Sequence, residues 1–307
     1  MSLIAVFMAL ATGILVGSSL LNQSLIDSQR STIASFAAEK DSLRKDLATA
    51  QGQVNYRDGY LASLHSTLLT GRLIGHRVVL VIAPGAARKD VDALAKTFQE
   101  AGAQLVGRVH ISDDFFAAAD DPAGANKAAL RDAAIKRLAL PDVKSKAPEA
   151  QLAGALVTKE ASRSLEQPAD ALLTGLDTDG LISRDQVTDR GDLAVLICGT
   201  PPDKPTPVDD RTTAGLVKLA AALDAAGGGA VVAGPSDSVA DGLLAAVRRD
   251  GAVSAMVSTV DGVESPFGQV AAAYALVEQI AGGAGQYGSS DSGDAALPQF
   301  RAPAAKK

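Results

Sequence analysis

Five side chains outside the N-terminal apolar run have the chemistry to bind a soft metal ion. They are His65, His76, His110, Cys198 and Met256. Imidazole, thiolate and thioether groups suit copper and zinc, but a tight site needs several of them close together. The chain has no Cys-x-x-Cys, no His-x-x-x-His and no Met-rich tract. The sequence therefore supplies candidate ligands but does not assign a metal site.

Other catalytic or cation-binding patterns are incomplete. Acyl transfer needs a nucleophile beside a base, and the chain has no Gly-x-Ser-x-Gly motif to mark one. Asp177, Asp179 and Gly180 resemble the start of a calcium loop, yet Gln186 stands where the loop needs a glutamate. Cys198 ends an apolar run and is typical of a small core residue. We therefore expect no catalytic residue and no enzyme activity.

A nucleotide cofactor is not expected either. Open α/β sheets bind ligands in the loops that follow the strands. Three such loops are expected here, at Pro84–Arg88, Gly199–Asp210 and Gly234–Asp237, and none carries Gly-x-Gly-x-x-Gly or a phosphate-binding P-loop. Their prolines also lack the backbone N–H groups that hold phosphate. The chain is acidic, with net charge −6, and has no basic cluster before its last two residues, which argues against nucleic acid as a partner.

Short apolar runs alternate with amphipathic segments, which predicts an α/β fold. We expect a doubly wound, mostly parallel, five-stranded αβα sandwich, and both a Rossmann-like and a flavodoxin-like strand order remain open. A helical insertion is expected at about 112–184, with helices at Asn126–Leu140, Pro148–Ser164 and Pro168–Leu176. The expected strands are Arg77–Ala83, Ala103–Ile111, Leu193–Cys198, Ala230–Ala233 and Ala252–Val257.

The N-terminal residues, which must position the predicted α/β domain, have a different hydrophobic pattern. Ser2 to Ile26 carries no charged side chain, and Leu3–Leu21 is 19 residues long. A helix needs roughly 20 apolar residues to cross a bilayer core about 30 Å thick. Residues 1–26 are therefore predicted to be an uncleaved, single-pass signal anchor that contacts membrane lipid.

A heptad pattern follows the apolar run. With position a at Ile26 and every seventh residue to Leu68, ten of thirteen a and d positions are apolar. This predicts a coiled-coil stalk at 27–70 that associates with itself or with a partner helix, and Lys40 and Arg57 in the seam favour few strands. The alternative is one long helix folded back on its own domain. The body is then 71–288, expected outside the cytoplasm, and 289–307 is a polar tail expected to be disordered.

Three stretches resemble the mycobacterial copper transport protein B (MctB) family of actinobacteria. They are AVFMALATGILVGSSLL, LIGHRVVLVIAPGA and STVDGVESPFGQVAAAYALVEQIAGGAGQYG, of which Thr259–Asp261 and Gly285–Gly288 are the most specific. The resemblance implies a cell-envelope protein with a part in copper efflux and homeostasis. It also implies an alternative, because similar proteins are described as SteB-type scaffolds that act with a SteA-type partner on a peptidoglycan hydrolase in cell division.

The residues bear on these two implied functions differently. One apolar run per chain can line a pore only if several chains associate. A tethered scaffold, in contrast, needs only the anchor, the stalk and a water-soluble body. The resemblance places copper homeostasis first, while the sequence pattern suits a membrane-tethered binding or scaffold protein.

Overall fold

The computed structural model describes residues 2–121, 124–160, 164–165 and 167–298, without the side chains of Ser2 and of residues 17–27. The chain divides into two compact units, Met1–Tyr60 and Leu61–Lys307. Residues 299–307, the end of the predicted tail, lie outside the described residues.

One helix, α1, accounts for the first unit and runs from Ser2 to Leu69, into the second. The predicted anchor and stalk are thus continuous helix. Its seam residues Ile33, Phe36, Leu43 and Leu47 are 62–70% exposed. Where side chains are described, no helix combines the length and the apolar character that crossing a membrane requires. The predicted membrane-spanning helix is therefore unconfirmed.

The second unit contains a mixed α/β fold built on a mostly parallel sheet of seven strands, two more than the sequence predicts. The strands are β1 Arg77–Ile82, β2 Gln104–Ile111, β3 Ile182–Asp185, β4 Leu193–Ile197, β5 Ala230–Ala233, β6 Ser258–Val260 and β7 Gln286–Tyr287. The helices after α1 are α2 Arg88–Glu100, α3 Ala125–Leu138, α4 Pro148–Leu156, α5 Gln167–Thr178, α6 Pro207–Ala226, α7 Gly242–Arg249, α8 Gly251–Ser254 and α9 Pro266–Ile280.

The strand order decides between the two topologies left open by the sequence. Across the sheet the strands lie β3-β2-β1-β4-β5-β6-β7. The five central strands are parallel and follow the order 2-1-3-4-5 along the chain, which is the flavodoxin-like order. The antiparallel strand β3 lies at one edge and the short parallel strand β7 at the other. The order reverses between β1 and β4, which is the topological switch point.

The predicted fifth strand, Ala252–Val257, is wrong. Residues 251–254 form α8 instead, because the Asp250 carboxylate accepts hydrogen bonds from the Ala252 and Val253 N–H groups and caps a helix there. The strand begins at Ser258, after this turn. An apolar run of six residues suits a buried strand and a buried helix equally, so periodicity could not separate them.

The predicted helix Pro148–Ser164 is too long, because residues 157–160 are not helical; residues 161–163 lie outside the described residues. Helix α4 ends at Leu156, where Val157 bridges to Gly191 and the Thr158 N–H donates to the Gly191 carbonyl. These contacts join residues 157 and 158 to the segment before β4, and they replace the hydrogen bonds that would have continued the helix. The other two helices of the insertion start and end within two residues of their predicted bounds.

Alternate residues of the central strands bury opposite faces of the sheet. On β1, Val79 and Val81 face one aliphatic core, with helices α3 to α7. Val78 and Leu80 face the other core, with helices α2 and α9. Leu69, the last residue of α1, and Leu73, which follows the helix, are fully buried in the second core. The last turn of α1 is therefore part of the body, and burial of each such side chain contributes about 1.5–3 kcal/mol.

Candidate functional site

The candidate metal ligands do not come together. His65, near the end of α1, lies with its Nδ1 atom 2.7 Å from Glu100 Oε2, at the end of α2. His76 precedes β1, and its Nδ1 atom is 2.7 Å from Asp192 Oδ2. His110 is exposed on β2, and Met256 follows α8 and is 44% exposed. No group of three or more His, Cys, Asp or Glu residues suited to a metal ion occurs in the described ranges.

Cys198 is a core residue. It follows β4 and is 5% exposed in the first core. Burial raises the pKa of its thiol to about 12, and hydrogen bonding with Ser238 only partly offsets this. A neutral, enclosed thiol is a poor nucleophile and a poor metal ligand, because both roles require the thiolate.

His76 has the orientation that a ligating histidine often has, but it has no companions among the candidate ligands. Its Nδ1–H donates to Asp192, a carboxylate that is 7% exposed and also accepts from the Arg77 N–H at 2.5 Å. Metal-binding histidines commonly donate one ring N–H to a carboxylate and ligate through the other nitrogen. A single imidazole does not make a site, and the same bonds anchor the start of β1 to the segment before β4.

Backbone packing fills the switch point, where a flavodoxin-like sheet would bind a ligand. The turn after β1 places Gly85 at φ 77°, and its carbonyl lies directly against the α-carbon of Gly199, after β4. A side chain at residue 199 would collide with Gly85 and Ala86. The two loops therefore touch through their backbones, and both glycines allow this close approach.

Next to this point lies an acidic position at the start of α2. Asp90 is 6% exposed. Burial raises its pKa; the positive charge of Lys89 acts against this, and the negative charge of Glu264 adds to it. Glu264 accepts hydrogen bonds from the Ser236 hydroxyl at 2.5 Å and the Ser236 N–H at 3.3 Å. Two carboxylates, Asp90 and Glu264, thus lie close enough to interact at this end of the sheet, an arrangement that disfavours a phosphate ligand.

The densest polar network surrounds a buried ion pair beyond the end of β6. Asp261 is fully buried, and its Oδ2 atom lies 3.0 Å from an Arg248 guanidinium nitrogen on α7. The carboxylate also accepts from the Ser289 N–H at 2.7 Å and the Ser290 hydroxyl at 2.7 Å. Burial alone would raise the pKa of Asp261, but these serines and Arg248 outweigh burial and lower it. Asp261 is therefore held as a charged, multiply bonded anion.

Arg248 extends the network across three segments. Its guanidinium donates to Thr259 Oγ1 on β6 at 2.8 Å, to the Tyr287 carbonyl on β7 at 2.8 Å, and to Ser292 Oγ at 2.7 Å. Gly288, at φ 135°, packs so closely on the Asp261 carboxylate that a side chain would not fit. We name the set of Arg248, Asp261, Ser289, Ser290 and Ser292 the arginine clamp.

The clamp changes the interpretation of the C-terminal segment. The sequence pattern assigns residues 289–298 to a disordered tail, but in the structure they are hydrogen-bonded to the body. The Asp294 N–H donates to the Gln286 carbonyl at 2.6 Å, and Tyr287 forms a β-bridge with Ala295. Ala295 and Leu297 pack against the second core. The segment lies along β7, and a polar composition alone did not reveal these partners.

The sequence singled out Thr259–Asp261 and Gly285–Gly288 without identifying Arg248. A buried carboxylate needs a cationic or multiply donating partner, and the position of Asp261 at a strand end is the signal that could have pointed to one. Arg248 lies 13 residues earlier, on another element, and sequence spacing gives no means of choosing it over Arg249. The Asp261 carboxylate is bonded from within the protein, so the clamp acts as a structural fastening.

The calcium-like segment is occupied by side-chain cations. Lys127 Nζ donates to the Asp179 carbonyl at 2.9 Å, and Arg184 lies 3.7 Å from Asp177. Gly180 adopts φ 68°, as expected of an Asp/Gly turn. The segment is therefore a turn joining α5 to β3.

Comparison with known proteins gives a match along the chain. A family model described as "Copper transport outer membrane protein, MctB" matches residues 1–298. Proteins named "Copper transporter MctB" from Mycobacterium bovis and Mycobacterium tuberculosis are each 27% identical over 299 residues, with 94% of both chains covered. The protein of that name from Mycobacterium leprae is 28% identical over 305 residues, covering 94% of this chain and 93% of its own.

Proposed function

The chain belongs to the MctB family, and on this premise we propose that it works in copper efflux and homeostasis at the cell envelope, without catalysing a reaction. The observation that carries this proposal is the family match over residues 1–298, which includes the N-terminal helix as well as the body. The name of these relatives, copper transporter, supports the same role.

We propose that α1 holds the protein at the membrane through a single pass near residues 3–21, with the body outside the cytoplasm. Support comes from the uncharged run Ser2–Ile26 and from apolar side chains such as Phe7 and Leu15, which are 66% and 71% exposed. Exposed apolar surface of this kind is stabilised by lipid contact.

Copper is the cargo in this proposal. The described residues of the body contain no group of three metal ligands, and its one thiol is buried with a raised pKa. His76, held by Asp192, is the most suitably oriented single ligand. We therefore assign copper handling to an assembly of chains, in which several copies each contribute a ligand, or to a partner recruited by this protein.

The test is copper content in cells that lack the gene. Under copper challenge, the deletion should accumulate copper, and the full-length chain should restore the normal level. A complementing chain that begins at residue 27 separates anchoring from the body, because it should fail to restore export. Normal copper content in the deletion strain would overturn the efflux proposal.

A second candidate function is a division scaffold that engages a partner through the stalk. The specific observation in its favour is the exposed heptad seam of α1, including Leu43 and Leu47. Leu43→Asp or Leu47→Asp should abolish self-association or partner capture, because a charged group in the seam opposes helix packing. Ala48→Asp, on the outward face, is the matched control. Deletion cells with normal copper that grow as undivided chains would favour this candidate over efflux.

A further inference from the structure

The predicted stalk has charged residues beside its apolar seam. One shallow groove on α1 is lined by Phe36, Glu39, Lys40, Leu43, Arg44 and Leu47. In the heptad frame that starts at Ile26, these residues occupy positions d, g, a, d, e and a. They are the four kinds of position that contact a partner in a two-stranded coiled coil. The groove therefore combines an apolar floor with charged walls of both signs.

We propose that the occupant of this groove is the stalk of a second copy, aligned parallel and in register. The interface is formed by the seam positions from Gln29 to Arg57 and the e and g positions that flank them. The inference rests on the second candidate function only in assuming that the stalk self-associates, and it needs no copper chemistry.

The two charged seam residues specify this arrangement. In a parallel dimer, a side chain at position a packs beside position g of the other helix, and one at position d packs beside position e. Lys40, at a, therefore meets Glu39 of the second copy. Arg57, at d, meets Asp58 of the second copy. Both seam cations are thus next to an acid when the two helices are matched residue for residue, whereas a slip of one heptad leaves an acid, Asp46, only for Lys40.

The flanking positions agree with this register. Position g of one heptad faces position e of the next heptad on the other helix, which pairs Glu39 with Arg44 of the second copy. The same rule pairs Asp46 with Gln51 and Gln53 with Asp58, so no like charges meet at the flanking positions. In the seam, Lys40 and Arg57 each face the same residue of the second copy, which costs stability but, as for a lysine at a single a position, helps to specify the register. A slip of one heptad would place Arg57 beside Gln51 or His65 of the second copy and remove its acid.

The Arg44 side chain is available for this role. Within its own helix it has a contact of 3.8 Å with Asp41, and both side chains are strongly exposed, at 68% and 77%. An exposed pair of this kind contributes little, about 0–1 kcal/mol, so forming an interchain pair costs little.

Disulfide trapping tests both orientation and register in the full-length chain in its membrane. Ala50 lies at position d and Ala48 at the outward position b, so Ala50→Cys and Ala48→Cys are matched variants. In the proposed dimer, the two copies of residue 50 approach within the roughly 4.4–6.8 Å between Cα atoms that a disulfide needs. Diamide oxidation should then give a covalent dimer with Ala50→Cys and at least about five-fold less with Ala48→Cys, as d positions face the partner.

The wild-type chain controls for Cys198, which is buried and should give no covalent dimer. Charge is tested in the Ala50→Cys background. Lys40→Glu should reduce trapping because the new carboxylate would face Glu39 of the second copy, whereas Lys45→Glu, at the outward position f, should leave trapping unchanged. Equal trapping by the two cysteine variants, or no loss with Lys40→Glu, would overturn the inference.

A lysine-reactive cross-linker separates this inference from the scaffold function. Cross-linked dimers without Ala50→Cys trapping would mean that the stalk associates in another orientation, which defeats the parallel register but leaves a scaffold. Absence of dimers by both methods would defeat the register and the self-associating scaffold together.

Discussion

At the scale of single residues, the strongest constraint in the body is the Arg248–Asp261 pair. Arg248 is 8% exposed and Asp261 is 0% exposed, so neither charge is solvated by bulk water. A buried pair adds little over a well-packed apolar pair, but removal of one member leaves an uncompensated charge. The serine groups that bond Asp261 carry no charge, so the clamp is sensitive to loss of its cation.

We expect Arg248→Met to lower the free energy of unfolding by about 3–5 kcal/mol, because Asp261 would stay buried without its cation. The neighbouring Arg249 side chain is 68% exposed, and its contact with Asp241 is 3.8 Å long. Arg249→Met is therefore the matched control, with an expected change within about 0.5 kcal/mol. Urea denaturation of both variants measures the difference, and equal stability would show that the clamp is not a fastening.

Replacement of Asp90 is expected to have the opposite effect on the free energy of unfolding. Burial and Glu264 raise its pKa above the ordinary value of 3.8, against the attraction of Lys89. Between pH 3.8 and the raised pKa, the folded state binds more protons than the unfolded state, so stability falls as the pH rises through this window. At pH 7 the full penalty for a charged Asp90 is present.

Asp90→Asn should therefore be more stable than the wild type at neutral pH. The gain should shrink as the pH falls through the same window, because wild-type Asp90 becomes protonated in the folded state and the penalty for a buried charge is removed. Denaturation midpoints measured across this pH range test the sign. A variant that is less stable at neutral pH would show that the Asp90 carboxylate makes a favourable bond in the folded protein.

At the scale of elements, the sequence predicted four of the five central strands and neither edge strand. Strands β1, β4 and β5 are runs of β-branched and aliphatic residues, and burial on both faces produces that pattern. Strand β2 includes polar, exposed positions and was recognised from its apolar residues alone. Strands β3 (ISRD) and β7 (QY) are short and polar, and they form only because a neighbouring strand is already in place. Their signal lies in long-range pairing, which a local pattern does not contain.

The contact between the β1 and β4 loops also belongs to this scale. Gly199→Ala should lower the free energy of unfolding by about 1–3 kcal/mol, because its new methyl group would meet the Gly85 backbone. Gly251→Ala is the control, since nothing lies within 4 Å of an added methyl group there. Its expected effect is neutral or a gain of up to about 1 kcal/mol from helix propensity. Equal losses would mean that the loops separate easily.

At the scale of the whole molecule, the α/β class followed from the alternation of elements, whereas the strand order did not. The strand order depends on how the connections cross the sheet. The Rossmann-like and flavodoxin-like orders share the same local sequence pattern, so the sequence did not separate them. The arginine clamp was hidden for the same reason, because its members come from α7, β6 and the C-terminal segment. The anchor and the stalk assembly remain predictions, supported by charge-free and heptad patterns.

Truncation tests whether the C-terminal segment belongs to the body. A chain that ends at Gly288 loses the Ser289 and Ser290 bonds to Asp261, and hydrogen bonds to a charged group contribute about 1.5–3 kcal/mol each. We expect a loss of about 3 kcal/mol or more in the free energy of unfolding. A chain that ends at Pro298 keeps these bonds and should match the wild type. Equal stability of the two truncations would restore the description of residues 289–298 as a dispensable tail.

The two edge strands of the sheet affect how the protein behaves when many copies are close together. One margin is β3, four residues long, and the other is the two-residue β7, alongside which Ala295 forms a bridge. Short or covered margins give a neighbouring molecule little backbone on which to add a strand. Neighbouring copies of the body therefore have little exposed strand backbone through which a fibril could grow.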